Sequence, residues 1–370
     1  MKKIFSIAIV IACIQIYNSN AYAQLTGLPS GGNKRASVSE QIGLVDVTIR
    51  YSRPHVNKRD GHIWGELIPV GYVDQGFGSS KQAPWRAGAN ENTTIEFSND
   101  VTIEGQPLPA GKYGFFIAYD PNECTLIFSK NSTSWGSFYY NPAEDILRVK
   151  VKPVARDKSV EWLKYEFADE TPNSAVVQLQ WEKLMIPFKI ETDVIKNQLA
   201  SFRRELRSER GFSWEAWNQA AKYCADNNTN LDEALLWSDT ATSVGFLGDQ
   251  SFQAWSTKAA ILDSMGKHDE AAAIIKKALP YGNENELYLY ARGLITQHLG
   301  QQALEIFKLN YDRHPNDFQT NWGMARGYSA TGDYKKALTF AQKARAQSPP
   351  ANTNYIDKLI KTLQDGKDMN

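Results

Sequence analysis

Val45-Asp46-Val47-Thr48-Ile49-Arg50-Tyr51 alternates apolar and polar side chains along seven residues. Period two sets Val45, Val47, Ile49 and Tyr51 on one face and Asp46, Thr48 and Arg50 on the other, the pattern of a half-buried strand. Leu147, Val149 and Val151 alternate with Arg148, Lys150 and Lys152 in the same way. Further strands are expected at 93–97, 113–119, 125–129, 161–167, 175–181 and 186–190. Asp120-Pro121-Asn122-Glu123 places proline at the second position of a type I turn and predicts a hairpin around it. Glu104-Gly105 and Pro109-Ala110-Gly111 punctuate the preceding stretch. No helical period precedes Thr192, so the crossover helices of a parallel sheet are missing. Residues 36–191 therefore read as an all-β antiparallel sandwich.

Beyond Ile190 the period becomes 3.6. Ile195, Leu199, Phe202 and Leu206 share one face, with Thr192 or Asp193 as N-cap and Gly211 past the end, which predicts a linking helix within 192–211. Ala234, Ala271, Ala303 and Ala337 then recur at spacings of 37, 32 and 34 residues. Each is followed seven positions later by Ala241, Ala278, Asn310 or Ala344, and Pro315 and Pro349 stand twelve residues after the third and fourth. Ala259, Ala291 and Ala325 lie twelve residues before the second, third and fourth, where two helices must approach closely, and Trp217, Trp255, Tyr288 and Trp322 are the large residues of the first helices. Small residues at helix crossings with a period near 34 residues are the tetratricopeptide pattern. Four degenerate repeats are expected over 212–349, followed at 350–370 by a capping helix and tail. The fold class is thus two-domain, an N-terminal all-β antiparallel sandwich and a C-terminal all-α tetratricopeptide-like repeat.

The remaining sequence gives an address and excludes partners. Lys2 and Lys3, the apolar run Ile4 to Ile16 and Ala21-Tyr22-Ala23 form the three parts of a secretory signal peptide over 1–23. Cleavage after Ala23 predicts a periplasmic or extracellular protein; the alternative is a lipoprotein cut before Cys13 and anchored there. The apolar run is shorter than the roughly 20 residues a membrane span needs, so no transmembrane segment is expected. Gly27, Pro29, Ser30, Gly31 and Gly32 mark residues 24–35 as a flexible tether. The 370 residues carry 41 basic and 41 acidic side chains, a balance that argues against nucleic acid or an anionic membrane as partner. Cys124 and Cys224 fall in different expected domains, which excludes a disulfide framework, and both read as small buried hydrophobes.

Several stretches resemble one family. Gln41-Ile42-Gly43-Leu44, Tyr51-Ser52-Arg53-Pro54, Ile63-Trp64-Gly65-Glu66-Leu67, Trp85-Arg86-Ala87-Gly88-Ala89-Asn90-Glu91-Asn92-Thr93 and Leu108-Pro109-Ala110-Gly111-Lys112-Tyr113 occur in this order, continued by Phe128-Ser129-Lys130, Trp135-Gly136 and Leu147-Arg148-Val149. Residues 36–191 are similar to the bacterial domain of unknown function numbered 2911. The resemblance implies an exported protein, often carrying tetratricopeptide repeats after the β-domain, and it implies no activity. The segment Val73 to Pro84 is longer than the connection usual in that family.

No His-Glu-x-x-His, Gly-x-Ser-x-Gly, Gly-x-Gly-x-x-Gly or phosphate-binding loop occurs, so no catalytic residue, metal site or cofactor is assigned. His55, His62 and Glu66 admit a metal-ligand reading, against which two histidines in a polar loop read as solvated. The candidate ligand-binding set is Arg53, Trp85, Arg86, Asn90 and Glu91: two guanidinium forks, an amide and an aromatic face suit a sugar, carboxylate or peptide end. The competing reading is an Arg–Glu pair that pins a long loop to the sandwich. Trp64, Trp135, Tyr139 and Tyr140 admit a carbohydrate platform or ordinary packing, and the basic face of Arg148, Lys150 and Lys152 an acidic polymer or solvent alone. The chain is expected to be an exported binding or scaffold protein whose repeats hold a protein or peptide. The alternative is an envelope enzyme acting on a sugar or peptide around Arg53, Arg86 and Glu91, for which a raised Glu91 pKa would be the mark.

Overall fold

The structure is a computed structural model describing residues 30–243 and 251–370. The expected signal peptide, its cleavage point after Ala23, the alternative anchor Cys13 and the start of the expected tether lie outside the described residues. The chain divides into two compact units, 1–198 and 199–370.

The first unit holds β1 (Lys34–Ile42), β2 (Val45–Arg53), β3 (Thr93–Phe97), β4 (Val101–Ile103), β5 (Gln106–Leu108), β6 (Gly111–Ala118), β7 (Cys124–Ser129), β8 (Asp145–Val151), β9 (Val154–Thr171) and β10 (Ser174–Glu191). One sheet has the order β1-β2-β3-β6-β7-β8 and the other β5-β4-β10-β9, with antiparallel pairing throughout. Val45, Val47 and Ile49 are wholly buried and Asp46 and Arg50 exposed, as the alternation requires. Their face joins Ile95, Phe97, Phe115 and Phe128 with Val177, Leu179, Phe188 and Ile190 of the second sheet in one apolar cluster. Each such side chain contributes roughly 1.5–3 kcal/mol on leaving water. At the β6–β7 hairpin the Asp120 carboxylate accepts from the backbone N–H of Asn122 at 2.7 Å and of Glu123 at 3.2 Å, closing the turn that Pro121 starts.

Two expectations about strands are corrected. β1 starts at Lys34, inside the stretch expected to be tether; it is an edge strand of mostly polar residues whose Ala36 and Val38 touch the core. The short strands expected at 161–167, 175–181 and 186–190 belong to one hairpin of two 18-residue strands. Its register shifts between Gln180 and Glu182 and again between Glu182 and Leu184, and Glu182 sits at φ 50°. A bulge breaks the alternation without ending the strand.

The second unit stacks four helical hairpins: α2 (Trp214–Asp226) with α3 (Leu231–Ala241), α4 (Phe252–Ser264) with α5 (His268–Ala278), α6 (Glu284–Thr296) with α7 (Gly300–Arg313), and α8 (Phe318–Ala330) with α9 (Tyr334–Gln347). The boundary between units falls within α1 (Val194–Glu205), and α10 (Thr353–Gln364) packs on α9. Every periodic small residue read from the sequence is buried, from Ala234 to Ala344, and so are Trp255 and Trp322. Asn310 at an alanine position donates through Nδ2 to the Glu284 carbonyl at 2.8 Å. Helices α7 and α8 approach so closely that a Cβ at Gly323 would lie 2.6 Å from Phe307 Cδ1. α7 and α9 end at His314 and Ser348, each followed by the proline that cannot continue a helix. Cys124 and Cys224 are buried free thiols, each pushed up to about 11 by burial. No helix among the described residues is long and apolar enough to cross a membrane.

One pair of acids makes the helical unit sensitive to pH. Burial raises the Glu284 carboxyl above the usual range, Asp317 beside it acts in the same direction, and His314 partly offsets both. A folded-state pKa above the unfolded one means stability present at low pH and lost as pH rises through the folded value. Glu284→Gln is therefore expected to match the native chain near about pH 4 and to exceed it near about pH 7. Urea midpoints of the helical far-UV signal check this, and a difference independent of pH contradicts it.

Candidate functional site

The loop 85–92 that carries most of the candidate residues is fixed from below. Ala87 is wholly buried in the left-handed region at φ 51°, where a residue with a Cβ costs about 1–2 kcal/mol. Its carbonyl accepts the Thr93 hydroxyl at 2.9 Å and the Tyr165 hydroxyl at 2.7 Å. Burial pushes the Tyr165 phenol well above its usual range, so it remains a donor. On one side of this anchor Trp85 exchanges backbone hydrogen bonds with Ile117, and its indole N–H donates to the Gly88 carbonyl at 3.0 Å. On the other side Asn90 is again left-handed, at φ 58°.

The five candidate residues part company. Trp85, Arg86 and Asn90 line a cleft of about 600 Å³; Arg53 and Glu91 do not. Arg53 ends β2 by donating to the carbonyls of Leu163 at 2.7 Å and Trp162 at 3.5 Å, which ties β9 to its neighbour. Glu91 pairs with Arg35 and accepts from the Ser52 hydroxyl at 3.2 Å. Burial alone would raise its carboxyl, but its own backbone N–H, Arg35 and Ser52 together hold it below the usual range. That is the opposite of what general acid work requires. Glu91 lines a separate hollow with Arg35, Arg50 and Lys112.

Arg86 has a built seat. Its guanidinium lies 5.2 Å from the Phe138 ring centroid and donates through Nη1 to the Asn90 carbonyl at 2.8 Å. Gly136, at φ 70°, closes the seat: a Cβ there would come within 2.5 Å of the guanidinium carbon. Burial lowers the Arg86 pKa. Above it the loop Val73 to Pro84 folds back, with Val73 bridged to Ala83, Lys81 paired with Asp74 at 3.1 Å and Ser80 N–H bonded to the Phe138 carbonyl at 3.0 Å. The extra length read in this segment is thus a wall of the cleft.

The sequence reading missed Arg59, His55 and Trp181 as cleft residues. Arg59 donates to the carbonyls of Val56 at 2.9 Å and His55 at 2.7 Å, and His55 stacks on Trp162 with ring centroids 4.7 Å apart. His62 faces Glu66 at 3.0 Å. Among the described residues no group of three or more His, Cys, Asp or Glu could hold a metal ion. Of the aromatic residues weighed as a platform, Trp64 packs on Trp85, Tyr119 and Trp181, and Tyr140 is buried with its hydroxyl 2.6 Å from Asp145. Trp135 and Tyr139 are exposed. Of the basic face, Arg148 pairs with Asp145 and Lys150 with Glu123, both at 2.7 Å, while Lys152 follows the end of β8.

The helical unit has a hollow of its own, about 300 Å³, between α2 and the start of α4. Trp214, Asn218, Gln219, Lys222 and Gln253 line it. Asn218 is 2% exposed and its Oδ1 has no hydrogen-bond partner among the described residues.

The two donors on the Ala87 carbonyl yield a quantitative expectation. Tyr165→Phe and Thr93→Val should each cost about 1 kcal/mol, because one donor remains. The double variant should lose about 1–3 kcal/mol beyond their sum, since a buried carbonyl is then left without any donor. Urea unfolding of the three variants measures the coupling, and simple additivity contradicts the shared role.

Residues 33–190 match the family model described as "Protein of unknown function (DUF2911)". No curated protein matches the chain. Among solved structures the chain is similar to YrrB, described as "a TPR protein with an unusual peptide-binding site", at 17% identity over 45% of this chain and 86% of that one, with a TM-score of 0.29. It is also similar to MamA 41-end from Desulfovibrio magneticus RS-1, at 14% identity over 43% of this chain and 92% of that one, with a TM-score of 0.28.

Proposed function

We propose that this chain, in which a β unit of the DUF2911 family precedes four helical hairpins, is an exported binding or scaffold protein whose helical repeats hold a segment of another protein. The observation that carries this reading is the buried Oδ1 of Asn218, which has no donor among the described residues. A buried amide oxygen without a donor costs free energy that an intact fold normally avoids. Here it borders a hollow walled by two further amides, Gln219 and Gln253, together with Glu215, Lys222, Tyr223 and Asp226. Primary amides offer both donor and acceptor, which is what the N–H and C=O groups of an extended peptide require. The Trp214 ring adds an apolar wall for a side chain of the same segment. Lys222 is paired with Asp226 at 2.7 Å, and Glu215 lines the same hollow.

The enzyme alternative loses its support in the geometry. Of Arg53, Arg86 and Glu91, only Arg86 lines the cleft, and Glu91 is ion-paired with a lowered pKa.

A photo-crosslinking residue at exposed Gln219 on α2, in the full chain exposed to envelope extract, is expected to give a discrete adduct. The same residue at exposed Ala272 on α5 should give none, and Asn218→Ala should abolish the Gln219 adduct. Equal labelling from both positions, or from neither, contradicts the reading.

A further inference from the structure

The cleft of the β unit is a second site, independent of the helical repeats, and its charge is one-sided. Among the described residues the titratable side chains that line it are His55, Arg59 and Arg86, with no Asp or Glu. The neighbouring carboxylates already have partners. Glu91 holds Arg35 and Ser52; Glu161 accepts from the Asn57 backbone N–H at 3.0 Å and lies 3.8 Å from His55; Glu182 accepts from the Gly61 N–H at 3.1 Å. Arg86 is half-buried, and among the described residues it has no carboxylate partner. A guanidinium taken partly out of water with a single carbonyl for company is an incompletely compensated charge. Its desolvation is visible in the lowered pKa.

A second observation points the same way. Trp181 lines the cleft, is 1% exposed, and its indole N–H has no acceptor among the described residues. Arg59 is held through Nε and Nη2, which leaves Nη1 uncommitted among the described residues. Arg86, Arg59 and Trp181 thus bring donor capacity to a space with an apolar side of Pro54, Leu67, Ile68, Val73 and Trp85 and a neutral polar side of Asn33, Asn57, Gln75, Asn90 and Ser137. A volume of about 600 Å³ lies within the roughly 300–1,000 Å³ of small-molecule sites.

We propose that this cleft binds a small organic acid, its carboxylate at the fixed guanidinium of Arg86 and its apolar or aromatic body against Trp85 and the facing aliphatic wall. A planar fork held flat between Phe138 and the Gly136 backbone matches the two oxygens of a carboxylate. Burial beside apolar walls suits a single negative charge better than the double charge of a phosphate monoester, whose desolvation costs more.

Phenylacetate, phenylacetamide and phenyl phosphate, titrated into the full chain and followed by calorimetry and tryptophan fluorescence, test the assignment. Phenylacetate is expected to bind and to change the tryptophan emission. The amide should bind at least about tenfold more weakly, because it lacks the charge that the guanidinium recognises. Arg86→Met should lose the preference for the acid. Should that variant unfold, Leu67→Asp, on a wall position that is 44% exposed, is to place a like charge in the cleft and weaken phenylacetate while sparing the amide. Arg148→Met, on β8 away from the cleft, should bind as the native chain does. Equal affinity for acid and amide, no binding of either, or undiminished preference in both cleft variants overturns the proposal. Tighter binding of phenyl phosphate overturns the choice of a carboxylate.

Discussion

The Ala87 carbonyl is the point on which the β unit's surface depends. Two hydroxyls from different strands converge on it inside the core, and they hold a residue with a Cβ in a backbone region it would otherwise avoid. The consequence runs outward. With Ala87 fixed, Trp85 must pair with Ile117 on one side and Arg86 must turn toward the Asn90 carbonyl on the other. The seat of Arg86 is completed by Gly136 and Phe138, far along the chain. A buried hydrogen-bonded knot thus sets the position of a cation at the surface, and rigidity there is what recognition by a guanidinium needs.

The helical unit depends on a different constraint, the absence of side-chain volume at the crossings. Alanines and two glycines let successive helices touch, and the aromatic and aliphatic residues around them fill the remaining space. Where a buried amide interrupts the apolar packing, the fold must find it partners. Asn310 succeeds in part through the Glu284 carbonyl, and Asn321 through the Asp317 carbonyl and Gln347. The Oδ1 atoms of all three lack a donor among the described residues, and Asn218 differs in bordering a hollow. The difference separates amides that specify packing from one that faces a hollow.

These constraints also explain what the sequence reveals. Local periodicity is written into residues that face one core, so β2, β7 and the four hairpins are legible from spacing alone. β1 is not, because an edge strand of Lys, Arg, Ser, Glu and Gln has little apolar face to alternate. The β9–β10 hairpin is hidden by its bulge at Glu182, which shifts the period midway. The cleft is less legible still: Arg59, Arg86 and Trp181 come together only through the sheet topology, and no spacing encodes their meeting. Within the motif Trp85 to Glu91 the residue types marked a polar constellation, but composition alone could not divide its members between anchoring and exposure to a ligand.

That division is physical and can be stated for each arginine. Arg53 donates to two backbone carbonyls of β9, so its charge is absorbed by the dipoles of the strand it holds, and removing a ligand would change nothing for it. Arg35 meets Glu91 at an exposed position, where water screens the pair and its net worth is about 0–1 kcal/mol. Arg86 has neither arrangement. It is desolvated by a ring and a backbone segment, bonded to one carbonyl, and directed along a wall without acids. A fold gains little stability from such a charge. The arrangement stores donor capacity that an anion in the cleft would satisfy, and the loop geometry set by Ala87 holds it in place before any ligand arrives.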